Sequence, residues 1–100
     1  MIELRSDTFN LYLLGVQDDE ALAREGTADV IVETRGGERY AGTVRSLAHL
    51  DAGLSGVYLP VTDTIVLREL TSDHVCTAVR DLLEGGVLDE VFLEVLEQVG

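Results

Sequence analysis

The segment from residue 28 to residue 46 constrains the fold more than any other part of the sequence. Apolar and polar side chains alternate over residues 28–35 and again over residues 38–46, with Gly36 and Gly37 between them. Alternation with a period of two is typical of a strand with one buried face, and glycine supplies the positive φ angles of tight hairpin turns. We therefore predict a β-hairpin. Its two faces are Val30, Val32, Thr34, Tyr40, Gly42 and Val44 on one side, and Asp29, Ile31, Glu33, Arg39, Ala41, Thr43 and Arg45 on the other.

The residues before this hairpin predict two further strands. Residues 2–4 and residues 8–16 contain alternating apolar side chains, and Ser6 and Asp7 between them are typical of a turn. Residues 17–26 predict a surface loop with one helical turn, whose acidic residues lie at its N-terminal end. Gly42, in the middle of the second hairpin strand, indicates a bulge or a close approach of another backbone.

Residues 46–70 predict a short helix followed by two strands. Ser46 is a favourable N-cap for a helix over residues 46–52. Residues 56–59 are rich in β-forming side chains and end at Pro60, which terminates a strand or confines it to a sheet edge. Residues 64–70 form a second such segment, and its three consecutive apolar residues indicate cover on both faces.

The remaining residues have the period of helices. Thr71 or Ser72 is a candidate N-cap, and Gly85-Gly86 ends the helix that follows. A second helix is predicted from about Asp89 onward. The apolar stripe of the first helix is Val75, Val79, Leu82 and Leu83, and that of the second is Val91, Phe92, Val95, Leu96 and Val99. Strands first and helices last predict an α+β fold: one acidic domain over residues 1–100, with a mostly antiparallel sheet of four to five strands and two C-terminal helices packed on it.

The net charge and its distribution limit the classes of molecule that this protein is expected to bind. The chain has 19 acidic residues and seven Arg, a formal net charge of −12. Residues 28–46 sum to zero, whereas residues 71–100 carry −6. Such a field attracts basic partners and repels nucleic acid and anionic membranes. An apolar share of 46% argues against charge-driven disorder.

Few residues suggest catalytic or metal chemistry. Cys76 is the single cysteine, and residues two apart on a helix, such as His74 and Cys76, do not face each other. The run Asp18-Asp19-Glu20 lacks the spacing of an EF-hand, so a solvated loop is favoured over a cation site. The glycine pairs lack the lysine and the spacing of phosphate-binding loops and predict a turn and a helix stop. We expect a protein that is not an enzyme and holds no cofactor or metal.

Three segments resemble a known class of proteins. They are residues 37–44, residues 54–58 and residues 63–67, and they are similar to small single-domain bacterial proteins of uncharacterised function, some of immunity-protein type. The resemblance implies a protein that neutralises a partner toxin. The hairpin of residues 29–47 is also similar to the first half of an Sm-like barrel, but the predicted C-terminal helices depart from that pattern.

These observations favour a non-catalytic binding module of the immunity or inhibitor type, which blocks a basic protein such as a toxin or nuclease. The candidate partner-binding residues are the acidic side chains predicted on the outer face of the C-terminal helices: Asp81, Glu84, Glu90, Glu94 and Glu97. The alternative is an interaction module that forms a homo-oligomer through its sheet edge or helix face. Because the N-terminal residues hold an early acid and no long apolar run, we expect no signal peptide, no contact with a membrane and a cytoplasmic location.

Overall fold

The computed structural model describes residues 1–48 and 64–94, and for Leu93 and Glu94 it describes the backbone alone. These residues form an α+β fold with a mixed, mostly antiparallel sheet, which confirms the predicted class. The strands are β1 (Ile2–Arg5), β2 (Phe9–Leu14), β3 (Thr27–Thr34), β4 (Arg39–Ser46), β5 (Thr64–Leu67) and β6 (Leu93–Glu94). The helices are α1 (Asp19–Glu25), α2 (Ser72–Glu84) and α3 (Leu88–Val91).

The sheet order follows the chain from β1 to β5, and short β6 also pairs with β4. The pairs from β1 to β4 are antiparallel, as is the β4–β6 pair, whereas β4 and β5 are parallel. A parallel pair requires a long crossover rather than a tight turn. The antiparallel pairs of the first four strands, each between strands consecutive in the chain, therefore build most of the sheet.

The predicted hairpin is confirmed as β3 and β4. The amide of Thr34 donates to the carbonyl of Glu38 at 2.8 Å, and the amide of Gly37 donates to the carbonyl of Thr34 at 3.0 Å. Gly37 has a φ of +88°, a conformation that strongly favours glycine. The register runs without interruption through Gly42, which lies opposite Val30, so no bulge occurs there.

The core lies on one face of the sheet. On β2 and β3 the residues at alternate positions are buried, as the period of two predicts, and on β4 Tyr40 and Val44 are buried. Helix α2 contributes Val75 and Val79 to this core, and both are fully buried. The buried apolar residues are Phe9, Leu11, Leu13, Val16, Leu22, Ala28, Val30, Val32, Tyr40, Val44, Leu70, Val75, Val79, Leu88 and Phe92.

Two predicted elements differ in extent from the observed ones. The single helical turn predicted before the hairpin is the seven-residue helix α1, which Asp18 caps by accepting from the amide of Ala21 at 2.8 Å. Strand β5 ends at Leu67 rather than at residue 70, and Val66 is 38% exposed. That exposure is inconsistent with cover on both faces of β5.

Helix α2 and its cap are confirmed, but the long second C-terminal helix is wrong. Helix α3 has four residues, and at Phe92 the backbone becomes extended, with φ −107° and ψ 152°. Leu93 and Glu94 then pair with Ala41 and Tyr40 of β4. Strand β5 pairs only with residues 43–46 of β4, so the first part of β4 has backbone groups that β6 can satisfy. This tertiary pairing overrides the local helical period.

Part of the sequence prediction lies outside the described residues. Leu47 and Ala48 are helical, directly after Ser46, and the rest of the helix predicted over residues 46–52 lies beyond the described range. The strand predicted over residues 56–59, with Pro60, lies entirely outside it, as does the apolar stripe of residues 95–99.

Candidate functional site

Two of the five predicted partner-binding residues lie at the C-terminal end of α2. Asp81 and Glu84 are exposed and three residues apart, a spacing that places them on the same side of the helix. The last turn of α2 contains no basic residue. Two exposed carboxylates therefore stand at the helix end that carries the negative pole of the dipole.

The nearest positive charge on the helix does not neutralise them. Arg80 is four residues before Glu84, a spacing that permits an ion pair. Its guanidinium instead donates from Nη2 to the Sγ of Cys76 at 3.7 Å, one turn earlier. Neither Asp81 nor Glu84 forms an ion pair with any other described residue.

The end of α2 is shaped by its glycine pair. The amide of Gly86 donates to the carbonyl of Leu83 at 3.1 Å, and the amide of Val87 donates to that of Leu82 at 3.0 Å. Gly86 has a φ of +70°. This pair of bonds around a left-handed residue is the Schellman motif, which ends a helix sharply. The glycine pair is thus the helix stop that the sequence predicts.

Helix α3 adds two more acidic side chains just after this turn. Asp89 and Glu90 are both exposed and lie in its first turn. We call the four side chains around the turn, Asp81, Glu84, Asp89 and Glu90, the acidic patch.

Glu94, another predicted binding residue, does not continue a helical row. Glu94 lies in β6 opposite Tyr40, because α3 ends before it. The expected placement of Glu94 on the outer face of a second helix is therefore wrong. Glu97 lies outside the described residues.

The N-terminal end of α2 uses acidic residues for structure. The carboxylate of Asp19 accepts from the amide of Ser72 at 2.7 Å and from its hydroxyl at 3.0 Å. Ser72 is buried, with 7% of its surface exposed. Thr71 accepts from the amide of His74 at 3.1 Å and caps the same helix. Asp19 therefore ties the start of α1 to the start of α2.

Sequence reasoning missed this contact, because 53 residues separate Asp19 from Ser72. Residues 18–20 are all exposed, as a solvated segment predicts, but Asp19 and Glu20 lie in the first turn of α1 and not in a loop. Asp18 and Asp19 also have structural contacts, since Asp18 caps α1 and Asp19 holds Ser72. One feature of the sequence indicates such a contact: two consecutive aspartates, Asp18 and Asp19, lie at the start of a helical segment. A helix needs only one side chain as its N-cap, so the second carboxylate can accept from another part of the chain.

The remaining candidates have structural partners. The ring Nδ1 of His74 lies 3.1 Å from the carbonyl oxygen of Glu69, and Cys76 is half-buried beside Arg80. The chain's other histidine, His49, lies outside the described residues. Within the described part of the chain, no three His, Cys, Asp or Glu side chains form a group that could hold a metal ion.

A surface depression of about 330 Å³ lies beside α1. Its wall includes Gln17, Glu20, Arg24 and Glu25, and the carboxylate of Asp18 in this wall is already used as the helix cap. The lining holds no histidine, cysteine or serine.

Comparison with known proteins gave no match to a family model, to a curated protein or to a solved structure. Among the described residues, no helix is both long enough and apolar enough to cross a membrane.

Proposed function

We propose that this protein is a non-catalytic binding module of the immunity or inhibitor type, which neutralises a basic protein partner through the acidic patch. The observation that carries the proposal is the placement of Asp81 and Glu84 at the negative end of α2 with no basic residue in the last turn. The remaining candidates, Glu94 and Glu97, stay part of the predicted binding set.

Asp81 and Glu84 destabilise the end of α2, and no ion pair with a described residue offsets this cost. An acidic side chain at a helix C-terminus costs about 0.3–1 kcal/mol at low ionic strength. Asp81 and Glu84 gain no ion pair from the described residues, and Arg80 is turned toward Cys76. Residues that break a local rule without an internal compensation are candidates for function, because a partner supplies the compensation.

The chemistry of the partner follows from the field of the patch. Four carboxylates and the negative pole of α2 attract arginine and lysine side chains, and they repel phosphate backbones. A toxin or nuclease with a cationic cleft has the matching charge, and electrostatic complementarity of this kind raises the association rate more than the affinity. The proposal includes a cytoplasmic location, in keeping with a single free cysteine.

The test begins with affinity capture from the native host and then measures binding of the captured partner. In one variant Asp81, Glu84 and Glu90 are replaced by Lys. In the control variant Asp7, Glu20 and Asp29, three exposed acids elsewhere on the chain, are replaced by Lys. Both variants change the net charge by the same amount, so a difference between them reports position rather than total charge.

We expect the patch variant to reduce the association rate by roughly tenfold or more at low salt, and the control to reduce it much less. The difference between the two should shrink as salt rises, because the Debye length falls. A partner that binds both variants equally well, or whose affinity ignores salt, contradicts the proposal.

A further inference from the structure

Strand β1 is the terminal strand of the sheet formed by the described residues. Next to it, the amide of Ser6 donates to the carbonyl of Phe9 at 2.8 Å. Opposite residues in an antiparallel ladder alternate between hydrogen-bonded and non-bonded pairs. In the register of β1 and β2, this alternation puts Glu3 and Arg5 in non-bonded pairs, so their backbone N–H and C=O groups point away from β2 toward the outer edge.

The same two residues carry the charges of this edge. Glu3 and Arg5 lie on one face of β1, and the Nη2 of Arg5 is 3.0 Å from the Oε1 of Glu3. Their side chains are 37% and 77% exposed. Ile2 and Leu4, on the other face, are half-buried against the core. The strand itself therefore carries no net charge, although the chain carries −12.

We propose that the β1 edge binds the β1 edge of a second copy of this chain, in an antiparallel pair centred on Leu4. In this register Glu3 of one copy lies opposite Arg5 of the other, twice across the two-fold axis. The hydrogen-bonded pairs are formed by Glu3 and Arg5, whose backbone groups face the edge. The two sheets become one continuous sheet, with both helical layers on the same side.

Charge selects this register among those that the backbone allows. Pairing centred on Glu3 places two carboxylates opposite each other, and pairing centred on Arg5 places two guanidinium groups opposite each other. Like charges directly opposite on adjacent strands are destabilising, whereas opposite charges are stabilising. A shift by one residue would bring a core-facing residue opposite an outward-facing one. The residues of the acidic patch take no part in this pairing.

The experiment measures the molar mass of the purified chain by sedimentation equilibrium, from micromolar to millimolar concentration. Salt is kept near 0.15 M, where the Debye length of about 8 Å screens the long-range repulsion between two acidic chains. We expect the wild-type chain to dimerise. Glu3→Arg and Arg5→Glu, measured separately, should each raise the dimer dissociation constant by about tenfold or more, since both cross-strand pairs change from attractive to repulsive.

A mixture of the two variants supplies the sharpest test. The Glu3→Arg chain presents two positive charges at the edge and the Arg5→Glu chain presents two negative ones. The pairing centred on Leu4 therefore predicts a heterodimer in the mixture, although each variant alone is weakened. The doubly substituted chain, Glu3→Arg with Arg5→Glu, should dimerise like the wild type.

A backbone variant separates edge pairing from a general loss of structure. Glu3→Pro removes a donor that points away from β2, so it should abolish the dimer. Circular dichroism and the unfolding midpoint should change little when both chains are compared at a concentration low enough for the wild type to be monomeric. The proposal is overturned if the wild-type chain stays monomeric over the whole concentration range. It is equally overturned if Arg5→Glu dimerises as strongly as the wild type, or if the mixture forms no heterodimer.

Discussion

At the N-terminal end of α2 acidic side chains lie where the helix dipole favours them, whereas at its C-terminal end they lie where the dipole opposes them. Asp73 is in the first turn and the carboxylate of Asp19 accepts from the first amide. Asp81 and Glu84 occupy the last turn and have no ion pair with a described residue. The two ends of one helix thus separate acids that hold the fold together from acids that form no ion pair with the described residues.

This difference teaches how to interpret a net charge of −12. The total number of acidic residues determines only the overall negative electrostatic field around the molecule. Sorted by contact, Asp18 caps a helix and Asp19 joins two helices, and these two carboxylates are not available to a partner without loss of structure. The acids without internal contacts are the ones on which a binding proposal can rest.

The largest effect should come from breaking the N-terminal contact. Asp19→Ala leaves the amide and the buried hydroxyl of Ser72 without their acceptor, so the free energy of unfolding should fall by about 2–3 kcal/mol. Urea denaturation measures this change. Glu20→Ala is the matched control, because Glu20 is the exposed neighbour on the same helix. Equal losses in the two variants would show that the contact with Ser72 contributes nothing.

A smaller effect should follow from changing the stop at the C-terminal end. Gly86→Ala forces a side chain into a backbone with φ +70°, which should lower the free energy of unfolding by about 1–2 kcal/mol. A Cβ atom at this position meets nothing within 4 Å, so the cost is one of backbone conformation and not of packing. Gly86→Asn should cost less, since asparagine tolerates the left-handed region. If alanine and asparagine cost the same, the conformational explanation is wrong.

The smallest effect tests the comparison between the two ends of α2 most directly, because neutralising an acid should stabilise the protein at one end and destabilise it at the other. Asp81→Asn and Glu84→Gln should each raise the free energy of unfolding by about 0.3–1 kcal/mol at low ionic strength. Asp73→Asn, in the first turn, should lower it by a similar amount. Thermal unfolding at low and high salt measures both, and high salt should reduce both effects. A loss of stability in all three variants would mean that Asp81 and Glu84 have internal partners.

Local patterns predicted several elements well. The period of two and the glycine pair located β3 and β4, and the helical period with Thr71 located α2. These signals succeed because each depends on residues within about four positions of one another. Among the candidate site residues, Asp81, Glu84 and Glu90 are exposed as expected. Local spacing predicts this exposure, because polar residues of an amphipathic helix lie opposite its apolar stripe.

Other features depended on distant parts of the chain. Residues 91–94 have a helical period but also β-forming side chains, so the local sequence is compatible with a helix or a strand. Backbone pairing with Tyr40 and Ala41 of β4 makes residues 93 and 94 a strand. The parallel pairing of β4 with β5 and the contact of Asp19 with Ser72 have no local signature.

The sequence by itself therefore determined the hairpin, the start and stop of α2, and the uneven distribution of charge. Only the tertiary structure decided which acids are bound to backbone amides and which are not, because a hydrogen-bond partner 53 residues away is brought near by packing and not by period. The tertiary structure also decided which strands form the edges of the sheet, because a strand is terminal only if no other strand pairs with its outer side. Composition sets how many charges a chain carries, and packing sets which of them remain free to meet another molecule.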